Sequence, residues 1–216
     1  MLRRIAASLM LGLIAVAVSS GGAAARPPDV PIDHIIVIYQ ENYTFDNLYG
    51  EFPGANGLNA PGARVTQVDK IGLPYRTLPQ PLNDGDPPVS SLPSGPDRRF
   101  PHDLPNAPFL IDRYAPPNQL TADPVHGFYQ HLLQINGGKM NKFVAWSDAG
   151  GLPMGHYDTQ KLPLYPYARA YTLADNFFTG AFGSTMLNHF WLVCACTPVW
   201  PNAPADMVAR PLFNAD

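Results

Sequence analysis

The apolar residues of this chain follow three patterns, and each predicts a different kind of element. Ile5 to Val18 is a continuous apolar run behind Arg3 and Arg4 and ahead of Ala23-Ala24-Ala25. A basic start, a short apolar middle and a small-residue end predict a secretory signal peptide over residues 1–25, too short to cross ~30 Å of hydrocarbon comfortably. Ile35-Ile36-Val37-Ile38-Tyr39 is the second pattern, continuous and mostly β-branched, with Pro31 before it and Gln40-Glu41-Asn42 after it. That predicts a strand covered on both faces, as in a parallel sheet.

The third pattern is helical spacing. Thr44 is a candidate N-cap for a short helix at Phe45-Asp46-Asn47-Leu48, closed by Gly50, Gly54 and Gly57. Phe128, Leu132, Leu133 and Ile135 predict a helix stopped by Gly137-Gly138, and Met140, Phe143, Val144 and Trp146 a second short one. Tyr167 and Tyr171, one turn apart, place another within 163–173. Leu187, Phe190, Trp191 and Cys194 fall at i, i+3, i+4 and i+7 and predict a buried helix from near Ser184 or Thr185 to Pro198. Val65–Val68 and Asp175–Phe178 read as short strands.

Composition changes this picture in one region. Of the 216 residues 25 are Pro, and 14 of these lie in 60–125. Little regular structure is expected there, because Pro lacks a backbone donor and disfavours helix in the residue before it. Phe100, Phe109 and Tyr114 argue against a free linker, so the stretch reads as a long ordered excursion packed over the domain. Hydrophobic residues make up 46% of the chain and charged residues 14%, which excludes a disordered polyelectrolyte. The net charge of -3 argues against a nucleic-acid binder driven by a basic field. No second apolar run is long enough for stable membrane insertion, and the signal places the protein outside the cytoplasm, secreted or periplasmic. Cys194 and Cys196, two apart, point away from each other on a helix or strand, so they are expected as buried thiols and not as a disulfide.

Three groups of residues are candidates for chemistry. Glu41 and Asn42 sit at the carboxyl end of the expected first strand, where open α/β sheets bind ligands. They suit a divalent cation as hard oxygen donors, or they cap the next helix as a turn pair. Ser184-Thr185 enters a helix from a glycine turn. A hydroxyl there either caps the helix or faces a phosphate held by the unpaired N–H groups of the first turn. His189 lies one turn after Thr185 and Asn188 faces the same way, while His126 opens the helix after the Pro-rich excursion. The remaining histidines form no closed zinc pattern. No GxSxG elbow, P-loop or GxGxxG is present.

Taken together, these segments resemble one family. HIIVIYQENYTFDNLYGEFPG is similar to the opening of the bacterial acid phosphatase and phospholipase C family of secreted phosphoesterases. DPVHGFYQHLLQINGGKMNKFVAWSDAGGLPMGHYD resembles its central stretch, and LADNFFTGAFGSTMLNHFWLVCACTP its nucleophile segment. The three occur in family order between Asp33 and Pro204, and the LNH after the nucleophile is closer to the acid-phosphatase branch. The resemblance implies an alkaline-phosphatase-like α/β fold, a mostly parallel sheet flanked by helices. It implies that one divalent metal ion is held by Glu41, Asn42 and Thr185. Thr185 aligns with the nucleophile, Ser184 and Asn188 with the substrate pocket, and His126 and His189 with the histidines that hold phosphate or protonate the leaving group. The expected activity is phosphomonoester hydrolysis through a phosphothreonine. The alternatives are a phospholipase C acting on phosphodiester lipids and a fragment that binds phosphate without turnover. The family completes its metal site with an adjacent acidic pair beyond the nucleophile, and no Asp-Asp or Asp-Glu pair occurs here. Residues 26–216 are therefore expected to be the N-terminal part of one phosphoesterase domain, with an incomplete metal site.

Overall fold

A computed structural model describes residues 31–63, 65–85, 91–183 and 185–204. The signal peptide expected over 1–25 and Ser184 lie outside them. The chain divides into two units, one ending at Tyr39 and one beginning at Gln40.

In the first unit Ile35 to Tyr39 is irregular and joins no ladder, and Ile35 and Ile36 are 82% and 85% exposed. This corrects the expected buried strand. An apolar run becomes a strand only when neighbours take its N–H and C=O groups and cover its faces.

The second unit is a mixed α/β structure with a parallel strand pair. Helix α1 (Phe45–Tyr49) begins where the Thr44 side chain accepts a hydrogen bond from the Asn47 N–H at 3.1 Å. Strands β1 (Phe109–Leu110) and β2 (Gly155–His156) pair in parallel, Phe109 opposite Gly155 and Leu110 opposite His156. Helix α2 (Phe128–Ile135) ends at Asn136, whose φ of 49° is left-handed, ahead of Gly137. Helices α3 (Tyr165–Ala170) and α4 (Thr185–Cys194) follow.

The Pro-rich excursion does not merely cover the core; it builds most of it. Leu78, Phe100, Leu104, Phe109, Ile111, Ala115 and Ala122 come from it, against five core residues from Val144 to Tyr157. Phe100 packs on Tyr114 and Phe109 with ring centroids 5.2 and 6.0 Å away. Proline leaves carbonyls without matching donors, and buried or half-buried amide side chains make up the difference. Asn106 donates to the Gln67 and Tyr75 carbonyls at 2.8 and 2.9 Å, and Gln80 to those of Asp97 and Phe100 at 3.2 and 3.0 Å. Buried Gln67 takes the Phe143 N–H at 2.9 Å.

Five further expectations are corrected. Residues 140–146 make a turn, closed by Trp146 N–H to Lys142 C=O, instead of a helix. Val65–Val68 contributes one bridge, Val68 to Pro74. Asp175–Phe178 is a turn with both Phe rings exposed. Helix α4 has no buried residue and ends at Cys194, short of Pro198. Cys194 and Cys196 do form a disulfide. The helix stops between them at Ala195, whose left-handed φ of 49° turns the chain back and sets the two Cα atoms 5.2 Å apart. Side-chain direction on a regular helix or strand does not apply across such a turn.

Candidate active site

The three motif segments, far apart in sequence, are joined by three contacts. The first joins Gln40-Glu41-Asn42 to the segment before α2. Asn42 has a left-handed φ of 64°, and its Nδ2 donates to Asp123 Oδ2 at 3.0 Å. Because the amide is planar, this orients Asn42 Oδ1 away from Asp123.

The second contact joins the same segment to α4. Glu41 Oε2 lies 3.8 Å from His189 Nε2, an ion pair when the imidazole is protonated. His189 is one turn beyond Thr185, so Glu41 reaches the face of α4 that carries the hydroxyl. Thr185 is the first residue of α4 and half-buried, next to N–H groups that have no partner within the helix.

The third contact joins α2 to the turn before α4. Phe182 packs against Phe128 at 5.2 Å and against the His131 ring at 6.1 Å. The turn is also tied to α4 itself, since Asn188 Oδ1 accepts the Ala181 N–H at 3.3 Å. At Gly183 a Cβ would come within 2.8 Å of Leu187 Cδ2, so glycine lets the turn lie close against the helix.

His126 is held with a defined tautomer. Its Nδ1 is 2.9 Å from the Pro124 carbonyl and 3.6 Å from Asp123 Oδ1. A carbonyl can only accept, so Nδ1 carries the hydrogen and the neutral ring presents Nε2 as a base. The segment is fixed on its other side as well: Asp148 takes the Val125 N–H at 2.8 Å and Gln134 donates to the Val125 carbonyl at 3.1 Å. His131 is pushed below the usual imidazole value, first by burial and then by His126.

Sequence reasoning selected Glu41, Asn42, Thr185, Asn188, His126 and His189, and the three contacts draw their segments together. It missed Asp123, His131 and Phe182. Asp123 had a legible signal, three residues before His126 in DPVHG. Phe182 had none, because its part is a ring contact between segments distant in the chain.

Glu41, Asn42 and Thr185 are oxygen donors of the hardness a divalent cation prefers. Among the described residues, no group of three or more His, Cys, Asp or Glu side chains is placed to hold a metal ion. The chemistry of these three donors fits a divalent cation.

A mixed α/β core with an oxygen-donor pair, a helix-start hydroxyl and two histidines defines a candidate phosphoryl-transfer site. The sequence model of the phosphoesterase family matches residues 32–209, and the chain belongs to that family. Phospholipase C A of Mycobacterium tuberculosis is 27% identical over 185 residues, which is 82% of this chain and 32% of that protein. The non-hemolytic phospholipase C of Burkholderia pseudomallei is 25% identical over 167 residues, 74% of this chain and 20% of its own length. The chain therefore spans about a third or less of the curated relatives it matches. No solved structure matches it. Among the described residues no helix is long and apolar enough to cross a membrane.

Proposed function

We propose that the chain carries the nucleophile and part of the metal site of an exported phosphomonoesterase. The observation that supports this most is the Glu41–His189 contact, which brings the expected metal-ligand motif onto the helix that begins at Thr185. In this reading the first-turn N–H groups of α4 hold the transferring phosphoryl group. Thr185 Oγ1 attacks phosphorus as its proton passes to Nε2 of His126, the bond to the leaving oxygen breaks, and that oxygen takes a proton from His189 or back from His126. Water then releases phosphate from phosphothreonine. Asp123 is a positioning residue, orienting both Asn42 and the His126 ring. A divalent cation held by Glu41, Asn42 and Thr185 would supply positive charge that makes the hydroxyl more acidic.

The curated relatives favour a second reading, since both are named phospholipases C. Incubation with 4-nitrophenyl phosphate and with phosphatidylcholine, each with Mg²⁺, Mn²⁺ or Ca²⁺, separates the two. Release of 4-nitrophenol, lost in Thr185→Ala and after chelation, supports the phosphomonoesterase. Phosphocholine release alone supports the phospholipase C. Saturable phosphate binding with neither product supports a non-catalytic phosphate binder. Export predicts a mature N-terminus near Arg26, read by terminal sequencing.

A further inference from the structure

Glu41 also lines a 290 Å³ cavity. Its lining is mainly aromatic and aliphatic, with Tyr43, Tyr49 and Tyr157 beside Leu48, Leu162 and Pro117. We propose that this cavity is a subsite for the leaving group of the substrate, taking an aromatic ring or an apolar group of similar size. The proposal rests on the phosphoesterase reading and narrows its substrate to phosphomonoesters with an uncharged, compact apolar leaving group.

Four observations carry it. The first is continuity: Glu41 lines the cavity and lies 3.8 Å from His189 on α4, so the cavity adjoins the helix that begins at Thr185. The second is size. Pockets that enclose drug-sized ligands run from about 300 to 1,000 Å³, so 290 Å³ admits a ring and not the two long chains of a diacylglycerol.

The third is rigidity. Tyr43 and Tyr157 pack with ring centroids 6.3 Å apart, and Tyr49 is backed by Phe45 at 6.0 Å and Phe52 at 6.5 Å. Aromatic walls of this kind favour offset or edge-on rings over flexible chains. The fourth is charge. Among the described residues Glu41 is the one formally charged member of the lining. Burial, and then Tyr43 and Asp112, push the Tyr157 phenol up to about 12, so it remains a neutral donor. Apart from Glu41, whose carboxylate the proposed cation and His189 would take up, the described lining offers no charge to pair with a charged leaving group.

The test uses non-hydrolysable probes, so it does not depend on turnover. Phenylphosphonate and methylphosphonate are titrated calorimetrically into the full chain and into Tyr43→Ala and Leu162→Asp, with circular dichroism confirming that each variant folds. Phenylphosphonate is expected to bind at least about tenfold tighter than methylphosphonate, with each variant reducing that preference to about threefold or less and leaving methylphosphonate affinity unchanged. Equal affinities in the unsubstituted chain, or a preference that both variants retain, would overturn the subsite. If neither phosphonate binds, the phosphoesterase reading falls, and 4-nitrophenol alone then decides the cavity. Binding of 4-nitrophenol lost in Leu162→Asp upholds an aromatic site there, and no binding overturns it.

Discussion

Asn42 and Asp123 show how much a single side-chain contact can organise. Asn42 Nδ2 to Asp123 Oδ2 fixes the direction of the Asn42 carbonyl, while the other Asp123 oxygen faces His126. One carboxylate therefore sets the orientation of a proposed metal ligand and of a proposed acid–base group. At the same scale, Thr44 caps α1 through the Asn47 N–H, and Thr44→Ala is expected to cost about 1 kcal/mol, read as a shift in chemical denaturation midpoint. His131 has a sign that can be checked. Burial and His126 depress its folded value below the 6.5 of a free imidazole, so the unfolded chain binds more protons in the window just below 6.5. Stability is expected to rise with pH through that window and then level off. His131→Gln should flatten the rise, measured as Tm against pH; an unchanged slope would remove His131 as its source.

At the scale of elements, local chemistry was legible and partner-dependent chemistry was not. The Thr44 cap and the start of α4 depend on residues next to one another and stand in the structure, while the expected glycine stop of α2 comes one residue early, at left-handed Asn136. The expected strand at Ile35–Tyr39 needed neighbours that its own sequence does not encode, and it is exposed. The disulfide was missed for a related reason. Its geometry depends on the backbone of Ala195, a residue type that rarely takes the left-handed form. The loop it closes is only three residues long, so chain entropy limits its contribution to about 1.6 kcal/mol. Reduction, or Cys194→Ser with Cys196→Ser, is therefore expected to fray the end of α4 and lower global stability by no more than roughly that amount, followed by hydrogen exchange and urea unfolding.

At the scale of the whole molecule, the site depends on the Pro-rich excursion. That stretch holds Phe100, Phe109 and Tyr114 in one aromatic cluster and runs directly into Asp123 and His126. At Gly85 a Cβ would come within 2.6 Å of the Asp123 backbone carbonyl, so this part of the excursion lies close against the backbone that carries the positioning carboxylate. Phe100→Ala is expected to cost about 3–5 kcal/mol in urea unfolding. Family membership was legible in the sequence because three motifs keep their order. Their meeting was not, because it runs through Asn42–Asp123, Glu41–His189 and Phe182, contacts between segments with no shared periodicity.

The central claim is that Thr185 receives the phosphoryl group under the control of the Glu41 segment. It is tested most directly by incubating the chain with 4-nitrophenyl phosphate and Mg²⁺ or Mn²⁺, quenching in acid and mapping phosphate by peptide mass spectrometry. Phosphate on Thr185, absent without the cation and strongly reduced in Glu41→Gln, is the predicted result. An unmodified Thr185, phosphate on a different residue, or labelling indifferent to Glu41→Gln would contradict the account.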